Sequence, residues 1–228
     1  MIFHKSILAG AIEIARSERT NEAYRGILLQ RDGMVVAACE NTWYIAESSG
    51  NLELPFVKNS ALKDDIAVTV DQLINLVKMI PQDKQFHGEL EYVAISSQEG
   101  NILDAVFNDG HGEAHLQMRS IRPTLLGWRD ALKQLGLGRI GQCEMAFNRA
   151  RLKGVFNALE AACKYDGEFS SIVQRPFEHG YVWRCLNELT SQTILVIFTM
   201  PKVDGVVQFT EWESDLLNLK PNVRRLTR

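Results

Sequence analysis

The segment His111-Gly112-Glu113-Ala114-His115 is the first place where residue types and spacing invite chemistry. Two imidazoles and a carboxylate in so short a stretch are the raw material of a metal site. A zincin-type site needs His-Glu-x-x-His on a helix, which sets both imidazoles on one face with the glutamate beside the metal. Here the glutamate is displaced by one position, the segment opens on an Asn108-Asp109-Gly110 turn, and no third ligand stands out. No metal and no cofactor are expected. The acidic pairs Asp64-Asp65 and Glu89/Glu91 fall on segments read as loop and strand, where such carboxylates are ordinary surface. There is no glycine-rich phosphate loop and no Gly-x-Ser-x-Gly elbow. Nothing supports nucleophilic or acid–base catalysis, and the chain is read as a non-enzyme.

The cysteines Cys39, Cys143, Cys163 and Cys185 are scattered, with no Cys-x-x-Cys pair, and read as buried thiols in a chain that can build a core without disulfides. That chain has 228 residues, 46% of them hydrophobic, enough for one large or two small domains. A net charge of −3 argues against holding nucleic acid by bulk electrostatics, although it leaves room for a local basic surface. No apolar run is long enough to cross a bilayer, and the opening Met1-Ile2-Phe3-His4-Lys5 lacks a secretory pattern. A soluble, cytosolic protein is expected.

The elements that would position any site follow from periodicity. Met1–His4 reads as a short strand, and Ile7, Leu8, Ala11, Ile12 and Ala15 make an amphipathic helix of Lys5–Arg19. Strand runs Tyr24–Leu29 and Met34–Ile45 follow, joined at Arg31-Asp32-Gly33, a hairpin signal. Thr69-Val70-Asp71-Gln72 has capping-box form, and the helix it opens stops at Pro81. Glu91–Ser96, Asn101–Phe107 and Glu113–Arg119 read as strands. Arg122–Gly136, with Leu125, Leu126, Trp128, Leu132 and Leu135, reads either as a short helix or as an irregular linker. A third round opens near Gln142–Phe147. Asn148 caps a helix with the stripe Leu152, Val155, Phe156, Leu159 and Cys163, and strands follow at Phe169–Gln174, Tyr181–Leu186 and Ile194–Met200. Strand–helix–strands, repeated three times at irregular spacing, predicts an α+β fold of antiparallel sheets with helices on one face.

In this order the segments resemble the bacterial DNA polymerase III beta sliding clamp. The opening helix, Gly26-Ile27-Leu28-Leu29 and the hairpin into Val35–Cys39 look like the clamp's opening. Thr69–Pro81 looks like its second helix, Leu103–Arg119 like a closing hairpin, and Arg122-Pro123 followed by Trp128 like the linker between clamp domains. Met145-Ala146-Phe147-Asn148 with Leu152, Val155 and Leu159 is the sharpest match, and Ile194–Val203, ILVIFTMPKV, looks like the clamp's C-terminal strand. The resemblance implies a full clamp-like domain over 1–121 and a clamp-like C-terminal half-domain over 142–203. Residues 122–141 would be a linker or degenerate segment, and 204–228 an extension beyond the strand where the clamp stops. The clamp has three full domains per subunit, whereas this chain carries three half-domains, or four if the linker hides one.

Sliding clamps do no covalent chemistry. They encircle duplex DNA with basic helical residues towards the phosphates, so the resemblance implies DNA-facing roles for Lys5, Arg16, Arg19, Lys78, Arg149, Lys153 and Lys164. At about 100° per residue Arg149, Lys153 and Lys164 share one flank of the last helix. Glu160 shares it too, and a plain solvated helix face is the competing reading. The clamp also docks short partner peptides in an apolar groove, which implies Phe147, Leu152, Phe198, Met200, Pro201 and Val203 here, against the alternative that these are core. The tail segment Asp215-Leu216-Leu217-Asn218-Leu219 weakly resembles the leucine-rich peptides that dock in such grooves, or is an amphipathic terminal helix. Two functions follow. One is a processivity or tethering factor of DNA replication, of phage or mobile-element type, holding double-stranded DNA topologically as a homodimer or homotrimer. The other is a non-ring adaptor or inhibitor that binds a DNA polymerase or another replication protein.

Overall fold

The computed structural model describes residues 1–16, 24–48, 54, 61–82, 89–135, 137, 149–163, 172–177, 180–187 and 192–199. Strand β1 (Ile2–His4) runs directly into helix α1 (Lys5–Ala15), followed by strands β2 (Ile27–Leu29), β3 (Met34–Cys39), β4 (Thr42–Glu47) and β5 (Ile66–Val68). Helix α2 (Val70–Met79) leads to β6 (Tyr92–Ser97), β7 (Ile102–Asn108) and β8 (Glu113–Arg119). Helix α3 (Trp128–Gln134) follows, and helix α4 (Arg149–Cys163) precedes β9 (Ile172–Phe177), β10 (Gly180–Asn187) and β11 (Gln192–Thr199). No helix among the described residues is long and apolar enough to cross a membrane.

Local chemistry accounts for the element boundaries. The capping box at the start of α2 forms as read: Thr69 Oγ1 accepts the Gln72 N–H at 3.3 Å, and Gln72 Oε1 accepts the Thr69 N–H at 3.2 Å. Gly33 sits at φ +98°, the left-handed conformation that the β2–β3 hairpin demands and that a Cβ would strain. The run Met34–Ile45, read as one strand, turns back at Glu40-Asn41 to make the β3–β4 pair. β5 had no sequence reading of its own, and the linker segment read as helix or irregular carries the short helix α3.

All the strands pair antiparallel in two sheets, ordered β1-β6-β7-β8 and β5-β2-β3-β4-β11-β10-β9. The first sheet obeys simple alternation: Val93, Ile95, Leu103, Ala105, Phe107 and Met118 enter the core, while Asp104 and His115 lie on its outer face. The second is apolar on both faces. Leu29, Val35, Ala37, Tyr44, Val196 and Phe198 pack against the helices, whereas Leu28, Val36, Ile45 and Ile197 lie under Leu125, Trp128 and Leu132. Its middle seam is the pairing of β4 with β11, from Thr42↔Phe198 to Ala46↔Ile194, which joins residues about 150 apart in sequence into one sheet. The Thr199 N–H extends the seam by donating to the Asn41 carbonyl at 2.7 Å. α1 packs against both α2 and α4 and is buried almost all round.

Candidate DNA-facing and partner-docking surfaces

The helical layer was expected to carry the DNA-facing cations, and its first member does not do so. Lys5 is 7% exposed. Its ammonium donates to the carbonyls of Ile80 (3.2 Å) and Pro81 (2.9 Å) and stands 3.6 Å from the carboxylate of Glu91, which is wholly buried. Ile80 is the C-cap of α2, so the lysine satisfies carbonyls that the helix end leaves without intrahelical donors. Lys5 is a buried latch between the start of α1 and the end of α2, not a phosphate contact. His4, the N-cap of α1, completes the cluster. Its Nδ1 accepts the Ser6 N–H at 3.3 Å, which places the proton of the neutral ring on Nε2, 4.0 Å from Glu91. Burial, and then the neighbouring ammonium of Lys5, lower the His4 pKa to about 4.

Three of the remaining cations are exposed on the helices: Arg16 at the end of α1, Lys78 in α2 and Lys153 in α4. Arg16 pairs with Glu13 at 3.2 Å. Arg149 opens α4, and the side chain of Arg149, together with Arg19 and Lys164, lies outside the described residues. Glu13, Asp71 and Glu160 share these helices with Arg16, Lys78 and Lys153, while the sequence of α4 adds Arg149 and Arg151.

Two of the expected groove residues belong to the helix-side core. Phe198 is 1% exposed and Leu152 packs against the same cluster. Phe147, Met200, Pro201, Val203 and the tail segment 215–219 lie outside the described residues. The apolar surface that faces away from the helices uses the other parity of the same strands. Leu28, Val36, Ala38, Ile45 and Ile197 are buried there in a second core cluster with Leu125, Trp128 and Leu132, and the half-buried Trp43, Val182 and Leu195 border it. Helix α3 is pinned on it by a chain of polar contacts. Trp128 Nε1 donates to Gln30 Oε1 at 2.8 Å, and Gln30 Nε2 donates to Asp65 Oδ2 at 2.8 Å. Arg129 lies over the Trp128 ring at 4.5 Å and pairs with Asp32 at 2.7 Å. The sequence signal for this second face was present in Val35-Val36 and Ile194–Phe198, where both parities are apolar.

The histidine segment behaves as a surface turn. Asp109 Oδ1 accepts the N–H groups of His111 and Gly112, which lowers the Asp109 pKa. His115 sits between Asp104 (3.1 Å) and Glu113 (2.8 Å), and hydrogen bonds to Glu113 and then Asp104 raise its pKa. Among the described residues no group of His, Cys, Asp and Glu could hold a metal ion. A cavity of about 390 Å³ opens where β5 meets the ends of β6 to β8, with Lys63, Asp64, Asn101, Ser120 and Arg122 among its lining.

No protein-family model matches the sequence, and no curated protein matches it either. Solved structures do match. A. fulgidus PCNA, in a structure with the C-terminal region of FEN-1 bound, superposes with a TM-score of 0.52 at 11% identity, over 90% of this chain and 99% of its own. A putative DNA polymerase III beta subunit from Eubacterium rectale superposes with a TM-score of 0.50 at 9% identity, over 96% of this chain and 67% of its own. At such identities the likeness speaks for architecture alone, and with the antiparallel sheets and the helices packed on them it establishes that this chain has the α+β fold of the sliding clamps.

Proposed function

We propose that this chain is a non-catalytic clamp-fold protein of DNA replication that acts by docking partner proteins, a polymerase among them, and tethering them. The observation that carries this reading is the half-buried apolar strip Trp43, Val182 and Leu195, left partly open on the outward face of the seven-stranded sheet beside the patch that helix α3 covers. Such a face suits an extended or helical apolar peptide, with main-chain contacts giving affinity and side-chain pockets giving specificity. The similar A. fulgidus PCNA has the C-terminal region of another protein bound, which supports the same mode here.

A closed ring around double-stranded DNA and an open adaptor are the two forms this function can take. Sheet topology favours the adaptor. A ring needs two complementary free ends, yet β4 is already paired with β11 of the same chain and the β5 end is bridged by Ile121, whose N–H donates to the Ala67 carbonyl at 2.8 Å. Arg16, Lys78 and Lys153, with Arg19, Arg149 and Lys164, remain the residues a ring would turn towards phosphate. Retention on nicked circular DNA, measured before and after linearisation, separates the forms. The adaptor shows no difference between circle and line, whereas loss on linearisation would establish the ring. Titration with leucine-rich peptides from replication proteins, followed by tryptophan fluorescence, tests docking. A Trp43→Ala chain that binds them as well as the parent would overturn the assignment of this face.

A further inference from the structure

β9 ends the seven-stranded sheet, and among the described residues no strand pairs with its outer edge. Its side chains are unusual for a sheet end. Ile172 lies on the helix side, opposite Cys185, and Val173 on the outward side, opposite Arg184; they are 47% and 56% exposed. Neighbouring Gln174 and Arg175 are exposed as well. Phe156 of α4, half exposed, stacks edge-on against Trp183 at 6.2 Å, and Trp183 is the register partner of Gln174. Of the six large apolar side chains left exposed among the described residues, Phe156, Ile172 and Val173 therefore gather at this one end. A free strand edge carrying β-branched residues on both faces is a template for another strand.

We infer that two copies of this chain associate about a two-fold axis, β9 pairing antiparallel with β9 of the second copy while the Phe156 flanks approach one another. This goes beyond the docking reading and does not depend on it. The occupant is a second copy because β9 is self-complementary over Ile172–Arg175, ahead of Pro176, which has no N–H to offer and limits the pairing to that stretch. A dyad at Val173 opposes valine to valine, and one at Gln174 sets Val173 against the stem of Arg175, keeping the two arginines apart in either register. Residues directly opposite in an antiparallel pair share a face, so in both registers Ile172 of each copy stays on the helix side and Val173 of each copy on the outward side. Head-to-tail pairing fits less well. The β5 end is bridged by Ile121, and the edge strand β8 presents Glu113, His115, Gln117 and Arg119 to solvent, the charged pattern that discourages pairing. An isologous contact of this kind closes at two subunits. One short strand and one aromatic ring bury less than the roughly 800 Å² per partner of a standard interface, so dissociation in the micromolar range is expected.

The test is the mass of the full chain by light scattering or sedimentation equilibrium from about 1 to 100 μM, the range that brackets such an affinity. The expected result is a rise from 25.8 kDa to twice that value, abolished by Val173→Lys, whose exposed position leaves the circular dichroism spectrum unchanged. Oxidation with diamide should give a same-residue cross-linked dimer in Val173→Cys or in Gln174→Cys, above the background of the parent cysteines. Only a two-fold contact brings a residue to its own copy. A monomer at every concentration, a trimer, a dimer indifferent to Val173→Lys, or the failure of both cysteine variants to cross-link would overturn the proposal. A trimer retained on circular DNA would overturn the dyad while establishing the ring, and a monomer that still binds replication peptides would leave the docking function intact.

Discussion

Replacing Lys5 by methionine separates a buried latch from a phosphate contact. Methionine keeps the length and apolar stem but removes the charge that stands 3.6 Å from the fully buried Glu91 and that supplies donors to Ile80 and Pro81. Breaking a buried pair by deleting one partner costs about 3–5 kcal/mol, because the remaining charge stays desolvated. Against a total stability of roughly 5–15 kcal/mol, that is a large fraction. For a chain of this size each kcal/mol moves the melting temperature by about 2–4 °C, so Lys5→Met should lower it by roughly 10 °C. Adding Glu91→Gln should restore at least half of the loss, since an amide is far cheaper to bury than a carboxylate that has lost its ammonium neighbour. The assay is urea and thermal unfolding of the four proteins of the double-mutant cycle, with DNA retention measured alongside. If Lys5→Met melts like the parent and loses only DNA binding, the latch is refuted and the DNA-facing role of Lys5 returns.

Three further outcomes are expected. His4 has its folded pKa lowered to about 4, so between there and the unfolded value of 6.5 the unfolded state binds more protons; stability present above pH 6.5 is lost as the pH falls, by about 2 kcal/mol from pH 7 to pH 5. His4→Asn, which keeps an N-cap acceptor, should flatten that slope in urea titrations, and an unchanged slope would remove His4 as its source. Gly10→Ala would ordinarily favour a helix by about 1 kcal/mol, but a Cβ there would stand 2.7 Å from the Tyr44 hydroxyl, so the variant should instead lose about 1–3 kcal/mol; a stabilised variant would mean that Tyr44 moves freely. Trp128→Phe keeps the ring on the outward sheet face but deprives the Gln30 carbonyl of its donor, and should lower the urea midpoint by the equivalent of about 1–3 kcal/mol. No change would mean that water takes over the bond.

What could be read from the sequence was local. The stretch Glu113–Arg119 alternates cleanly and forms a strand of those bounds, and the Thr69–Gln72 box forms as its spacing requires. Clamp-like order was legible for the same reason, since successive short elements each carried their own signal. Features fixed by distant packing were not. The flanks Met34–Cys39 and Trp43–Ile45 are apolar at both parities because that sheet is covered on both faces, so Glu40-Asn41, with no Gly or Pro beside it, is the one sign of the turn and reads through as strand. The same property hid the outward surface. Phe198 is the more conspicuous residue, yet Ile197, its neighbour, is the one that faces away from the helices. Lys5 stands at the polar start of an amphipathic helix, where a lysine is normally solvated, and only the approach of the α2 terminus explains its burial.

The burial of α1 bears directly on any nucleic-acid role. Between Lys5 and Arg16 only Ala9, Glu13 and Arg16 escape full burial, a single line at i, i+4 and i+7 in which the one cation is already paired with the one anion. The central helix of the layer thus offers almost nothing to a phosphate backbone, and the positive excess of the layer lies in α4, whose sequence sets Arg149, Arg151 and Lys153 against Glu160. A ring that turned this layer to duplex DNA would lean on α4 for its phosphate contacts, whereas the proposed docking of partner proteins does not depend on them.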